Sequence, residues 1–273
     1  MKSLYDKVKE ASNYIRKKSE VEPQTAIILG TGLGNLTQAV SADAVIDYKN
    51  IPHFPASTVK SHKGNLVVGD LSDKSVLIMD GRFHYYEGYS LEDITFPIRV
   101  FKEIGIKNLI ITNAAGGMNA RYEKGDIVII EDHINLTGLN PLVGINDERL
   151  GIRFPDMSCP YDEKLMELAE ESAREEGIPV KRGVYFWVIG PSLETKAEYK
   201  VMHSMGADMV GMSTIPEVIV GVQCEMKILG ISCITDLCIP EALKPVNIEE
   251  IIRTAEIAGP KIDRIIKNFI EKI

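Results

Sequence analysis

The chain has 273 residues, of which 45% are hydrophobic and 26% are charged, and its formal net charge is −8. This composition supplies enough apolar side chains for a sizeable core and argues against disorder. The acidic balance argues against a nucleic-acid backbone as the main partner, because a surface that binds one is basic. The acidic net charge is compatible with a local basic pocket that binds a single phosphate.

The sequence predicts a cytoplasmic protein without a membrane partner. Residues Met1–Lys7 are polar and charged and lack the apolar stretch of a signal peptide. The most apolar long window, Met209–Val222, is interrupted by Pro216 and Glu217, so it does not read as a membrane span. The four cysteines lack the spacing of metal ligands and indicate reduced core residues. They are Cys159, Cys224, Cys233 and Cys238.

A glycine-rich turn follows the first predicted strand. Apolar residues at helical spacing from Leu4 to Ile15 predict an amphipathic helix that ends in Arg16–Lys18. Thr25–Leu29 then reads as a buried strand that runs into Gly30–Gly34, and Asn35–Val40 is expected to be helical. In this context backbone amides can cradle a phosphate. The turn lacks the third glycine of a dinucleotide fingerprint and the lysine of a P-loop, so a plain turn stays open.

The densest cluster of chemical groups follows the second of two strands, which are predicted over Leu66–Gly69 and Ser75–Met79. There Arg82, His84 and Glu87 lie within six positions of one another. Arginine offers paired donors that match phosphate oxygens, a nearby histidine can donate to the same anion, and a carboxylate can orient that histidine. The alternative is an exposed turn whose charges are merely solvated.

Small residues interrupt the next predicted strand, after a helix predicted over Leu91–Gly105. Leu109–Ile111 reads as a buried strand, Thr112–Gly117 as a turn, and Gly125–Ile130 as a returning strand. Residues this small leave the main chain as a wall against which a flat ligand could lie. A tight crossing without a ligand is an equal alternative.

The second half of the chain alternates predicted strands and helices. We assign no functional role to His133. Asn140–Gly151 and Arg153–Ser158 read as loop, and Gly190–Thr195 as a turn that presents Glu194. Strands are predicted over Gly183–Ile189 and Leu229–Asp236, and Asp208–Thr214 is expected to join a short strand to the next helix. The helices are predicted over Asp162–Glu176, over Lys196–Met205, from Pro216 onward, and over Glu249–Ile273 with a break or kink near Pro260.

This alternation predicts an α/β fold, a three-layer sandwich with a central sheet flanked by helices. The sheet is expected to be mixed, because some neighbouring strands are joined by short turns. Nothing in the composition marks a linker, so residues 1–273 are expected to form one domain.

Taken together, the motifs resemble the trimeric purine nucleoside phosphorylases. The resemblance implies a single-domain α/β fold, a homotrimer, and phosphorolysis of a purine nucleoside to the base and ribose 1-phosphate. It implies no metal and no organic cofactor, since inorganic phosphate is the second substrate. The matching segments occur in the family's order over nearly the whole chain. They are Gly30–Gly34, Ser57–Gly64, Gly81–Tyr89, Thr112–Met118, Gly190–Glu198, Val210–Val220 and Ile234–Asp236.

The resemblance assigns candidate roles residue by residue. The phosphate site would comprise Thr31, His62, Arg82, His84, the backbone at Ala114, and Ser213. The sugar site would comprise Tyr86, Met212 and Ile248, with Phe154 reaching into a neighbouring subunit's pocket. The base site would comprise Ala115, Gly116, Tyr185, Leu193, Glu194 and Asp236. The candidate catalytic residues are His84, Glu194 and Asp236.

The chain departs from the family pattern at four of these positions. Thr31 replaces a serine, Leu193 a phenylalanine, Asp236 the asparagine of 6-oxopurine enzymes, and Ile248 a histidine that reaches the sugar 5′-hydroxyl. The departing purine needs a proton or a strong hydrogen bond at N7, which Asp236 would supply, while Glu194 would hold the N1 edge. We therefore expect inosine and guanosine to be good substrates, with measurable cleavage of adenosine.

Two other functions stay open. Thr31, Asp236 and the apolar Ile248 also suit a 5′-methylthioadenosine or 5′-methylthioinosine phosphorylase, whereas Gly190–Thr195 resembles the nucleoside enzymes. A non-catalytic nucleotide-binding module could use the same glycine turn. That module would have no use for four residues together, namely Arg82, His84, Glu194 and Asp236.

Overall fold

The computed structural model describes residues 2–33, 36–56, 63–144 and 146–273. Within these ranges, nine strands form one sheet. They are β1 (Thr25–Ile28), β2 (Ser41–Asp47), β3 (Asn65–Leu71), β4 (Lys74–Asp80), β5 (Asn108–Gly117), β6 (Ile127–Asn135), β7 (Val180–Trp187), β8 (Met209–Gly211) and β9 (Lys227–Leu237). The helices are α1 (Leu4–Arg16), α2 (Leu91–Ile104), α3 (Glu163–Glu175), α4 (Lys196–Ser204), α5 (Ile215–Gln223) and α6 (Ile248–Lys272).

The sheet is mixed, and the predicted α/β fold with a central sheet flanked by helices is confirmed. An antiparallel arm of β2, β3 and β4 leads into the parallel strands β4, β1, β5 and β9. Beyond β5 the pairings close on themselves, because β9 pairs with β6, β6 with β7, β7 with β8, and β8 with β5. The molecule therefore combines an open arm with a closed ring of five strands.

Local sequence explains where the elements begin. The helices α1 and α2 each start with a reciprocal cap, in which Ser3 pairs with Asp6 and Ser90 with Asp93. All four residues of β1 are buried, because this strand lies between two neighbours and is covered on both faces. The main buried cluster draws side chains from elements between α1 and α6. None of the described helices is long and apolar enough to cross a membrane.

Three expectations about local structure were wrong. Thr112–Gly117 is not a turn but the second half of β5, since β9 and β8 pair with it there and compensate for its poor strand-forming residues. Of the helix expected over Asn35–Val40, residue Asn35 lies outside the described residues, and the described part contains only a short 3-10 helix, Leu36–Ala39. The helix α6 runs unbroken through Pro260, because its long buried face packs against the core.

Candidate active site

The carboxyl ends of the parallel strands β4, β1, β5 and β9 meet at one edge of the sheet. A cavity of about 240 Å³ opens there, in the position where open α/β sheets bind ligands. Residues predicted from distant parts of the sequence converge on its lining. They are Thr31, Arg82, His84, Tyr86, Ala114, Ala115, Gly116, Leu193, Glu194, Met212, Ser213, Asp236 and Ile248.

Two of the predicted residues that the structure describes, Tyr185 and Phe154, do not lie among that lining. Tyr185 is fully buried behind β8, and its hydroxyl accepts a hydrogen bond from the backbone N–H of Ser213 at 3.4 Å. Phe154 is 86% exposed and lines a separate depression with Arg153. His62 lies outside the residues that the structure describes.

One end of the cavity carries a buried arginine. Arg82 is only 1% exposed, so the alternative of a solvated turn was wrong. Its Nη1 donates to Ser213 Oγ and Thr214 Oγ1, each at 3.1 Å, and its Nη2 donates to the carbonyl of Thr112. Glu217 Oε1 lies 3.5 Å from Nη1, and both side chains are almost completely buried. Such a buried charge requires the compensation that this carboxylate provides.

The residues behind Arg82 form a polar cluster that joins β5, β9 and the start of α5. Thr214 accepts from Asn113 Nδ2 at 2.9 Å, and Asn113 Oδ1 accepts from Ser232 Oγ at 2.8 Å. Thr214 adopts φ +75°, a strained conformation for a β-branched residue. Through Thr214, this cluster holds the guanidinium of Arg82 in a fixed orientation. Sequence reasoning missed Thr214 and Glu217, although the charge of Glu217 inside the most apolar window signalled a buried partner.

His84 is oriented by a carboxylate, as the sequence indicated. Its Nδ1 lies 2.9 Å from Glu87 Oε1, and its backbone N–H donates to the same oxygen at 2.8 Å. The ring stacks on Tyr86 with a centroid separation of 4.7 Å. Burial raises the pKa of Tyr86 to about 12, so its hydroxyl keeps its proton at neutral pH. Arginine, histidine and tyrosine thus line the same end of the cavity as hydrogen-bond donors.

The opposite end holds two carboxylates, Glu194 and Asp236. Tyr199 donates to Glu194 Oε2 at 2.6 Å. Thr235 donates to Asp236 Oδ1 at 3.0 Å, and the thiol of Cys238 donates to Asp236 Oδ2 at 3.3 Å. Burial is the main cause that raises the pKa of both the Tyr199 hydroxyl and the Cys238 thiol, so both groups stay protonated.

The wall between the two ends is made of β5 main chain. A side-chain carbon at Gly116 would lie 2.5 Å from Cys238 Sγ, which explains the glycine. Met212 covers part of the cavity and packs closely against Gly190, where a side chain would collide with its sulfur. Ile248, the first residue of α6, is 59% exposed and lies at the rim. The cavity therefore has a cationic end, a narrow middle and an acidic end.

A family model described as the phosphorylase superfamily matches residues 24–271. The chain belongs to the phosphorylase superfamily. It is 46% identical over 266 residues to purine nucleoside phosphorylase 1 of Geobacillus stearothermophilus, covering 97% of each chain. It is 42% identical to the rat purine nucleoside phosphorylase, covering 98% of this chain and 96% of the relative. The resemblance to purine nucleoside phosphorylases is confirmed.

Solved structures of this superfamily share the whole fold. A purine nucleoside phosphorylase of Schistosoma mansoni in complex with inosine matches with a TM-score of 0.93 at 41% identity, covering 98% of this chain and 96% of that one. The same protein in complex with adenosine also matches with a TM-score of 0.93 at 41% identity, covering 98% and 97%. In both of these structures, a ligand with a purine base is bound to a protein of the same fold.

Proposed function

We infer that this protein is a purine nucleoside phosphorylase, which splits a purine nucleoside with inorganic phosphate into the free base and ribose 1-phosphate. The observation that carries this inference is the polarity of one cavity. Its cationic end holds Arg82 and His84, and its acidic end holds Glu194 and Asp236. An anion at the first end and a nitrogen base at the second would leave a sugar between them.

The geometry accounts for the chemistry without a covalent intermediate. Phosphate held by Arg82, His84 and Ser213 is positioned as the nucleophile, and its negative charge favours the positive charge that develops on the sugar. Asp236 faces the departing base, where a proton or hydrogen bond contributes roughly 10²–10⁴ in rate. The reaction needs no metal and no organic cofactor, because phosphate itself is the second substrate.

Four nucleosides, each assayed with and without phosphate, test the inference. Inosine, guanosine and adenosine should release free base only when phosphate is present. Absence of phosphate-dependent release from all of them would refute the function and would favour a nucleotide-binding module. 5′-Methylthioadenosine is the fourth member of the panel, because the apolar Ile248 lies at the cavity rim. The similar proteins of Geobacillus stearothermophilus and rat are purine nucleoside phosphorylases, so we expect nucleosides with a 5′-hydroxyl to be cleaved faster than 5′-methylthioadenosine.

We also propose that the enzyme is a homotrimer in which Phe154 completes a neighbour's sugar pocket. Phe154 and Val143 are 86% and 84% exposed, and two large apolar side chains this exposed suit a subunit interface. Sedimentation should show a trimer, and Phe154→Ala should raise the nucleoside KM more than the phosphate KM. A fully active monomer would overturn this proposal.

We propose that the protein resides in the cytoplasm, a reducing compartment, because its four cysteines are free thiols. Cys224, Cys233 and Cys238 are buried free thiols, and Cys159 is an exposed free thiol. Disulfides are rare in the cytoplasm, where thiols are kept reduced. The free thiols support that location.

A further inference from the structure

Arg99 is a buried cation that the proposed reaction does not use. It lies in α2 and is only 7% exposed. Its Nη1 donates to a neutral group, the side-chain oxygen of Gln223, at 2.7 Å. Burying a cation is costly unless polar partners compensate for it, so the contact with Gln223 requires an explanation.

Gln223, the last residue of α5, connects Arg99 to the loop between β6 and α3. The residue is 4% exposed. Its Oε1 accepts from Arg99, its Nε2 donates to the carbonyl of Ile152 at 3.3 Å, and its own carbonyl accepts from the N–H of Ile152 at 3.3 Å. An arginine only donates and a carbonyl only accepts, so a side-chain amide satisfies both partners at once.

The loop is shaped to fit this anchor. Gly151 adopts φ +147°, and a side-chain carbon at this position would collide with the carbonyl oxygen of Gln223. One residue earlier, the carbonyl of Leu150 accepts from the thiol of Cys224 at 3.4 Å. Three consecutive loop residues are therefore held against the end of α5.

Phe154 follows the anchor by two residues. It is 86% exposed, whereas Leu150, on the other side of the anchor, is 9% exposed, so the chain leaves the core at the anchor. Arg153 Nη1 donates to the carbonyl of Leu142 at 3.0 Å, and the guanidinium lies 5.5 Å from the centroid of the Phe154 ring. The residues before Phe154 thus hold its ring away from the core.

We propose that Gln223, supported by Arg99, is a positioning residue that holds Phe154 outward for the sugar site of a second copy of this chain. The proposal rests on the proposed phosphorolysis and trimer, and it adds the residue that sets the loop. Gln223 does not line the cavity, so it would act only through Phe154. A loosely held loop would spend less time in the competent position, and the apparent affinity for the nucleoside would fall in proportion.

The test replaces Gln223 with glutamate, which separates the two contacts of the amide. The carboxylate still accepts from Arg99 and gives this cation a counter-charge, so the fold should be retained. It has no proton for the carbonyl of Ile152, so the anchor is lost. The KM for inosine should rise by roughly 2–10-fold, the factor by which one hydrogen bond shifts a population. The KM for phosphate should not change.

A second variant and a control exclude an effect of charge alone. Gly151→Ala disturbs the same anchor from the loop side, without altering the buried charge, and should also raise the KM for inosine. Lys102→Gln changes the net charge by the same one unit on α2, where Lys102 lies 3.8 Å from Glu225, and should leave both KM values unchanged. Hydrogen exchange over residues 149–155 should be faster in Gln223→Glu and in Gly151→Ala.

A double-mutant cycle shows whether Gln223 acts through Phe154. In a Phe154→Ala background, Gln223→Glu should cause no further rise in the KM for inosine, because the side chain that it positions is already missing. A merely structural defect would add to the effect of Phe154→Ala.

The outcomes distinguish this inference from the proposed function. If the native protein shows no phosphate-dependent cleavage of inosine, the proposed function is refuted, and hydrogen exchange still tests the anchor. If Phe154→Ala leaves the KM for inosine unchanged, the role of Phe154 and that of Gln223 are both refuted. If Phe154→Ala raises that KM but Gln223→Glu and Gly151→Ala keep the native value, only the role of Gln223 is refuted. Native hydrogen exchange over residues 149–155 in both variants would also overturn it.

Discussion

Replacing Arg82 by methionine should damage both stability and phosphate binding, for separate physical reasons. The substitution leaves the carboxylate of Glu217 buried without its counter-charge, which lies 3.5 Å away in the native protein. Glu217 Oε2 also has no hydrogen-bond partner among the described residues, so the carboxylate depends heavily on this arginine. Breaking such a buried pair costs about 3–5 kcal/mol. At roughly 2–4 °C per kcal/mol, Tm should fall by about 6–20 °C.

The second loss concerns the substrate. A hydrogen bond to a charged group contributes about 1.5–3 kcal/mol, so losing one should raise the apparent phosphate KM by roughly 10–150-fold. The nucleoside KM should change much less, because Arg82 lies at the end of the cavity opposite Glu194 and Asp236. Initial rates with phosphate varied at saturating inosine, and then with inosine varied at saturating phosphate, measure the two values separately.

The double variant Arg82→Met with Glu217→Gln separates the two losses. Neutralising Glu217 removes the unpaired buried charge, so thermal unfolding should recover a large part of the lost Tm. The phosphate KM should stay high, because the arginine is still missing. A phosphate KM that returns to the native value together with Tm would refute the reasoning, and so would equal damage to both KM values in the single variant.

The acidic end of the cavity gives two further predictions. Asp236→Asn should depress adenosine turnover while it spares inosine, because mismatched buried hydrogen bonds can discriminate by about 10⁴–10⁵; an unchanged ratio of the two activities would contradict our account of base selection. Tyr199→Phe removes the hydroxyl that donates to Glu194, so Glu194 should hold the N1–H of a 6-oxopurine less well and the adenosine-to-inosine ratio of kcat/KM should rise, about tenfold for one lost charge-assisted hydrogen bond. The same pair of assays measures both variants, and a ratio that falls in Tyr199→Phe would contradict the second prediction.

The sequence alone was sufficient to predict the parts of the site whose functional side chains belong to short, recognisable segments of the chain. Arg82 and His84 stand together at a strand end, and Glu194 is presented by a recognisable turn. Most of the elements also follow from periodicity, including α1 and the hairpin of β3 and β4. In these regions, the local preference of the chain agrees with its tertiary environment.

The remaining features depend on contacts between distant parts of the chain. The edge strand β2 is mostly exposed and lacks a strongly apolar pattern, so only its pairing with β3 reveals it. Tyr199 looks like an ordinary helix residue and Cys238 like an ordinary residue after a strand, and their contacts with Glu194 and Asp236 exist only in the folded chain. The small residues at the end of β5 read as a turn because their neighbours β8 and β9 lie about a hundred residues later in the chain.

The closed ring of strands constrains the order in which a newly made chain can fold. Asn108 of β5 is in register with Lys227 of β9, so the ring cannot close until the ribosome has released almost the whole chain. The strands β1 to β4 pair with one another without any residue beyond Asp80, so these pairings can form much earlier. In the interval, β5 and β6 present unpaired apolar edges, the kind of surface that chaperones protect and that aggregates when left exposed. Synthesis of the last strand therefore closes the ring and ends this vulnerable period, and the cavity is completed when Ile248 of α6 follows.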